Sequence, residues 1–369
     1  MKIKPIYFIL PLAICSMFTG VYAGWLRLGW DFPILNAQAT ALHGALMTGS
    51  FLGTLIAVER VAVLKNKWMW LVPLAFVSSL PLLLHVSPKA GCYALVAGSI
   101  GYSLVSVYNY KKYRFTGDLL LLIGSIFQFL GHLALALTYS YPMAFAGWMA
   151  FFVFTIVGER LNLTRFLPVK KNDRRALFGW LGLFTVGLFL YHTSYSIALS
   201  VSIVGIGQWL IRNDIARQNL NKKGSYQFLG ITLLSGYSWL LLTGLITLVN
   251  SYSPWLYDAV LHAFFVGFVL TMIMAHAPII FPSLLGLNAK PYHPILYGWV
   301  GLLQVSILLR IVGDLFQAFP LRQWGGLLNG LAFIGYLVTI AFLIGTHKSK
   351  VVAKRAADST TNHSYEQSH

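Results

Sequence analysis

Apolar residues in this chain come in long blocks rather than in the alternation of a half-buried strand, and polar residues gather in short gaps between the blocks. The blocks cover approximately residues 5–27, 39–63, 68–86, 90–109, 118–138, 142–164, 175–191, 193–211, 226–249, 256–281, 293–315 and 324–345. Each approaches the roughly 20 apolar residues that a helix needs to cross the hydrocarbon core. The pattern predicts an all-α, polytopic membrane bundle of about twelve transmembrane helices. Residues 1–347 then form one transmembrane domain, and 348–369 a polar tail rich in Ser, Thr, Asn and His that is expected to be disordered. The seventh and eighth blocks are short and close together, so a re-entrant hairpin is the alternative there.

Composition agrees with this reading: 57% of residues are hydrophobic and 10% charged, too few charges for an ordinary soluble domain. The formal net charge of +17 would suggest nucleic acid in a soluble protein. Its distribution argues for topology instead. With the N-terminus inside, the inner gaps collect Arg60, Lys65, Lys67, Lys111, Lys112, Arg160, Arg165, Lys170, Lys171, Arg212, Lys222 and Lys223, among others. The outer side holds only Arg27, Lys89, Arg310 and Arg322. Such asymmetry orients a multi-pass protein with both termini in the cytoplasm, here expected in a bacterial inner membrane, with lipid and not nucleic acid as its surroundings. The N-terminus, "MKIKPIYFILPLAICSMFTGVYAG", has the look of a cleavable signal peptide. A retained first helix is favoured, because eleven further spans need no separate export signal. Two cysteines in different spans, Cys15 and Cys92, support neither a disulfide framework nor CxxCH haem attachment.

One internal echo stands out. Span two ends in "GTLIAVERVAVLKNK" and span six in "VFTIVGERLNLTRFLPVKK", so Glu59-Arg60 and Glu159-Arg160 lie four helices apart at the inner ends of their spans. Span ten, "LHAFFVGFVLTMIMAHAPIIFP", begins like span two without that pair. The spacing suggests three four-helix pseudo-repeats.

Ionisable side chains inside an apolar run are expensive and mark candidate sites. His43, His85, His132, His192 and His262 fall in the outer half, and His276, His293 and His347 at the inner side. His43 and His262 open parallel spans at matched depth, which suits the two axial positions of a haem iron built between facing helices. Asp258, one turn before His262, is placed to accept its second ring N–H. Arg310 and Asp314 form a one-turn ion pair or, alternatively, Arg310 meets haem propionates. His132 and His192 are candidates for a second, outer metal site. His276 lies about 21 Å along the helix from His262, and so belongs instead with Glu59 and Glu159 near the inner surface, as a proton inlet or a structural clamp. The plainer reading of any one of these histidines is an interfacial polar residue bonded to a neighbouring helix.

Twelve spans, a repeat of four and histidines opening spans two and ten resemble haem-copper oxidase subunit I. More closely, the chain resembles the NnrS family of nitric-oxide-response membrane proteins. The family's His-x-His-Glu-Met run is matched by "HGALM" at His43 and Met47, with Ala45 and Leu46 at the other two places. Its His-Ala-x-x-Val-Gly motif is met by His262, Ala263, Val266 and Gly267, and "SLLGLNAKP" echoes its following loop at Lys290 and Pro291. The resemblance implies haem, with copper as a second metal, and a role in nitric oxide or redox stress involving a small gaseous ligand or an electron donor. Span six carries none of the copper-holding histidines of the respiratory oxidases, which weighs against oxygen or nitric oxide reduction by their mechanism. The competing expectations are a proton-coupled transporter working through Glu59, Glu159 and His276, and a non-catalytic membrane assembly protein.

Overall fold

The computed structural model describes residues 5–366 except 35, 65, 166, 168, 191–196, 250–252 and 288–290, with residues 37 and 347–366 given by their backbone alone. Among the described residues every regular element is helical. In chain order the long helices are α1 (Ile6–Arg27), α2 (Gln38–Ala62), α3 (Lys67–Val86), α4 (Pro88–Tyr113), α5 (Thr116–Thr138) and α6 (Tyr141–Leu163). They continue as α7 (Lys171–Leu190), α8 (Ile197–Asn213), α9 (Ser225–Leu248), α10 (Pro254–Leu284), α11 (Ile295–Leu315) and α12 (Phe319–Glu366).

Ten of these helices are long and apolar enough to cross a membrane, which is the make-up of a multi-pass bundle. The other two, α7 and α8, stand where the seventh and eighth spans are expected. α7 opens on "KNDRR", four charges in five residues, and α8 has only 17 residues. The apolar part of α12 ends at Thr346, and its backbone stays helical through the polar stretch to Glu366.

Three helices form the centre. The most apolar windows of α2, α6 and α10 are 72%, 67% and 61% buried, against 56% for α9 and 50% or less for every other candidate span. These are the helices that the sequence echo places four apart, and they form an inner group of three. Small residues set the close approaches around it. A Cβ on Gly147 of α6 would lie 2.7 Å from the Gly131 Cα of α5, and one on Gly158 would lie 2.7 Å from the Gly117 carbonyl oxygen. A glycine pair at each end thus clamps α5 to α6 without room for a side chain.

α2 and α10 share a further feature. Both change from α to π geometry just past their first histidine, over Ala45–Gly53 and Ala263–Leu270. A third π segment, Leu82–Val86, ends α3. The wider i→i+5 turn is rare and recurs at functional sites.

Candidate functional site

The start of α2 is fixed by Asn36. Its side-chain oxygen accepts from the Gln38 and Ala39 N–H groups at 2.9 and 3.2 Å, while its amide donates to the Leu84 carbonyl of α3 at 3.1 Å. This cap satisfies two of the orphan donors of a helix N-terminus and sets the level at which His43 projects, two turns on. His43 Nδ1 lies 2.6 Å from the carbonyl oxygen of Gly20 in α1. A carbonyl only accepts, so Nδ1 carries the proton and Nε2 holds the lone pair. Gly24, one turn on, makes room for the ring: a Cβ there would lie 3.0 Å from its Cε1.

His262 repeats the arrangement. Its Nδ1–H donates to the backbone carbonyl of Asp258 at 2.9 Å, again leaving the lone pair on Nε2. The Asp258 carboxylate is not the partner expected from the sequence, being 3.4 Å from Nδ1 at its nearest oxygen. It is engaged by arginines instead. Arg310 donates to Asp258 Oδ2 at 2.7 Å, and Arg322 lies 3.4 Å from the same oxygen and 3.1 Å from Asp314. The expected one-turn pair Arg310–Asp314 is therefore replaced by a cross-helix network of α10, α11 and α12. The reason is geometric: Gly325 brings α12 against the Arg310 backbone, Gly326 leaves room for the Arg310 guanidinium, and Arg322 is carried in between the two carboxylates.

His43, His262, Asp258 and Arg310 line one cavity of about 270 Å³, together with Arg27 and Arg322. Its walls are aromatic and aliphatic, with Phe145 and Trp148 of α6, Phe265 of α10 and Phe333 of α12. All three inner-ring helices contribute, and every charged group on the wall comes from the end of a helix on the charge-poor side. Three arginines against one carboxylate make the lining cationic.

A second cluster joins the same three helices at their other ends. Arg60 of α2 pairs with Glu159 of α6. Arg160, buried, donates from Nη2 to His276 Nε2 at 2.7 Å, while His276 Nδ1–H donates to the Met272 carbonyl at 2.7 Å. Arg160 is also 3.9 Å from buried Asp214, just past α8, and burial raises the Asp214 carboxyl above its ordinary range despite that cation. Glu59 stands beside Arg60 and Arg160. The sequence expectation of a Glu59–His276 network takes the form of two cross-helix pairs in which the arginines are the links. His276 thus gives both ring nitrogens to protein groups.

His132 does not join the cavity. It is fully buried between Phe76 and Trp148, with ring centroids 6.0 and 5.9 Å away. His192 lies outside the described residues, as does Lys290. Among the described residues no group of three or more His, Cys, Asp or Glu gathers as metal ligands, so the second metal site expected from His132 has no donor set there. Sequence reasoning missed Arg322 and Arg27 as wall residues, although both were visible as exceptions to the charge asymmetry. It also missed the aromatic wall from α6, which nothing in an apolar run distinguishes from core.

Fold and cavity together define a class: a multi-pass helical bundle whose three central helices hold a cationic, aromatic-walled cavity at one end and a cluster of cross-helix arginine pairs at the other. The chain belongs to the family described as Domain of unknown function (DUF8744), whose model matches residues 6–344. No curated protein and no solved structure matches it.

Proposed function

We propose that this is a haem-binding protein of the bacterial inner membrane, with His43 and His262 as the two axial ligands and Arg310, Arg322 and Arg27 placed for the propionates. One observation carries the reading: both imidazoles have Nδ1–H tied to a backbone carbonyl and so present the Nε2 lone pair on the wall of one cavity. Ligating histidines characteristically give the other ring N–H to a carbonyl or carboxylate, which fixes tautomer and ring orientation. The donor set fits haem better than a bare metal ion, since two imidazoles are a full axial pair but fall short of a closed zinc or copper shell. Twelve spans are part of this proposal, with α7 and α8 crossing as a pair.

Bound haem would supply one-electron redox chemistry or gas binding, in keeping with the resemblance to nitric-oxide-response proteins. The chain's own residues set the terms. Gly20 and Asp258 hold the imidazole tautomers, the arginines would neutralise carboxylates, and the aromatic wall would pack against an apolar ring. Because backbone carbonyls hold both imidazoles in place, electron transfer would be the simpler role.

The cavity volume favours a second reading. About 270 Å³ is at the lower edge of the ~300–1,000 Å³ of small-molecule sites, so a macrocycle needs the aromatic wall displaced outward. A small anion fits between the arginines with the wall as it stands, which would make the chain a carrier or receptor for a carboxylate. An absorption spectrum separates the two. Full-length protein purified from haem-sufficient cells should have a Soret band that His43→Ala and His262→Ala each shift or abolish. No Soret band, or a spectrum unchanged from wild type in both variants, refutes the haem reading and leaves the anion site.

A further inference from the structure

A line of buried polar groups runs from the cavity wall to the inner clamp, and between its two ends the site above uses none of them. Trp148 forms part of the cavity wall, yet its Nε1–H has no hydrogen-bond partner. Behind it, His132 is 0% exposed with neither ring nitrogen bonded. Gln128, one turn away on the same face of α5, is 1% exposed with its Oε1 unpartnered. Next comes Thr155 of α6, buried, its hydroxyl unpartnered and 3.2 Å from where a Cβ on Gly124 of α5 would sit. One turn beyond Thr155 is Glu159, the partner of Arg60.

The spacing makes this a path rather than a scatter. Trp148, Thr155 and Glu159 follow at i, i+7 and i+11, one face of α6, and span about 17 Å at 1.5 Å per residue. Gln128 and His132 of the antiparallel α5 fill the interval between the first two. On the α2 side they lie against Gly49 and Gly53 of the π segment, where a Cβ would sit 3.1 Å from His132 Nε2 and 3.4 Å from Gln128 Nε2. A buried polar group left without a partner is costly, and a row of them is not kept by a packed core without something that bonds to them. The set is mixed, with donors at Trp148 and one His132 nitrogen and acceptors at Gln128 and the other. Water, which donates and accepts, complements it, and an ion of either sign does not.

We propose that Trp148, His132, Gln128 and Thr155 line a hydrated proton path joining the Glu159–Arg60 cluster to the ligand cavity. His132 is its relay: a proton from water on one side binds the unprotonated ring nitrogen as the N–H on the other side releases its proton to the next water, and tautomer exchange resets the ring. One proton crosses, no bond other than N–H and O–H changes, and no oxidant or reductant takes part. The path stands whatever fills the cavity, so it survives or fails separately from the haem reading.

The test is proton flux into proteoliposomes of the full-length protein, read by an entrapped pH dye under a potassium–valinomycin potential. Wild type should conduct well above protein-free vesicles, and His132→Phe and Gln128→Leu should each cut the rate at least tenfold. Ser238→Ala, exposed on α9, should leave it unchanged. Thr155→Val provides a third, nearly isosteric block if either of the others fails to fold. Wild-type flux no greater than that of empty vesicles overturns the proposal, as does full flux in the folded block variants.

Discussion

At the scale of single residues, the most consequential side chain outside the cavity is Arg160. It is a buried cation whose partners are Asp214, just past α8, and His276 of α10. Removing one member of a buried pair leaves an uncompensated charge, so Arg160→Ala should destabilise the bundle by about 3–5 kcal/mol near neutral pH. Asp214→Asn in the same chain should recover much of that loss. The pH dependence has a definite sign. The folded Asp214 carboxyl titrates above its unfolded value of 3.8, so the protonated form stabilises the fold below that value and the contribution disappears as pH rises through the folded one. Relative to Asp214→Asn, wild type should therefore lose thermal stability in detergent as pH climbs from 4. In Arg160→Ala the decline should extend to higher pH, because the cation is what opposes the upward shift. Parallel pH profiles for wild type and Asp214→Asn would contradict this account.

The same scale explains what the sequence revealed. His43, His262, Asp258 and Arg310 were legible because an ionisable group in an apolar run has to be justified by a partner. Their partners were not legible, since the Gly20 carbonyl and the Arg322 guanidinium reach the site only through tertiary packing. Of the four basic residues expected on the outer side, three line the cavity, so the exceptions to the charge rule were themselves the best pointer to it. His132 marks the opposite case. Its position in an outer half-span gave no sign that Phe76 and Trp148 would wall it off from the other histidines.

At the scale of elements, α2 and α10 owe their likeness to backbone as much as to side chains. Each has a histidine in the last α turn before a π segment, and each resumes α geometry toward the inner cluster. Periodicity in the sequence does not expose such segments, because Ala45–Gly53 and Ala263–Leu270 are almost wholly apolar and buried on most sides. The π turn has a consequence for register: it fixes the angle between the outer histidine and the inner half of the same helix. Inserting one alanine within Ala263–Leu270 should turn His262 by roughly 90° relative to Thr271–Leu284, the rotation of one added residue. The insertion should abolish ligand binding in the cavity while the Arg160–His276 clamp holds the fold. Ligand titration together with a melting curve checks both halves. Retained binding would mean that the π segment is not what sets the histidine's direction.

At the scale of the whole molecule, charge, fold and site have to agree on one orientation. The cavity gathers the C-terminal ends of α1 and α11 and the N-terminal ends of α2, α6, α10 and α12, which lie on one face only if successive helices alternate in direction. That face bears few lysines and arginines outside the cavity, whereas the face of the Arg160 clamp is surrounded by basic loops. Under the positive-inside rule the cavity is then expected to open away from the cytoplasm. Whether α7 and α8 cross does not alter this, because a pair of crossings returns the chain to the same side. In a Cys15→Ser, Cys92→Ser background, a single cysteine at Gln317, between α11 and α12, should react with a membrane-impermeant maleimide in intact spheroplasts. A single cysteine at Lys223, between α8 and α9, should react only after lysis. The reverse pattern would place the cavity on the cytoplasmic side, where the three arginines would add to the basic loops instead of standing against the trend.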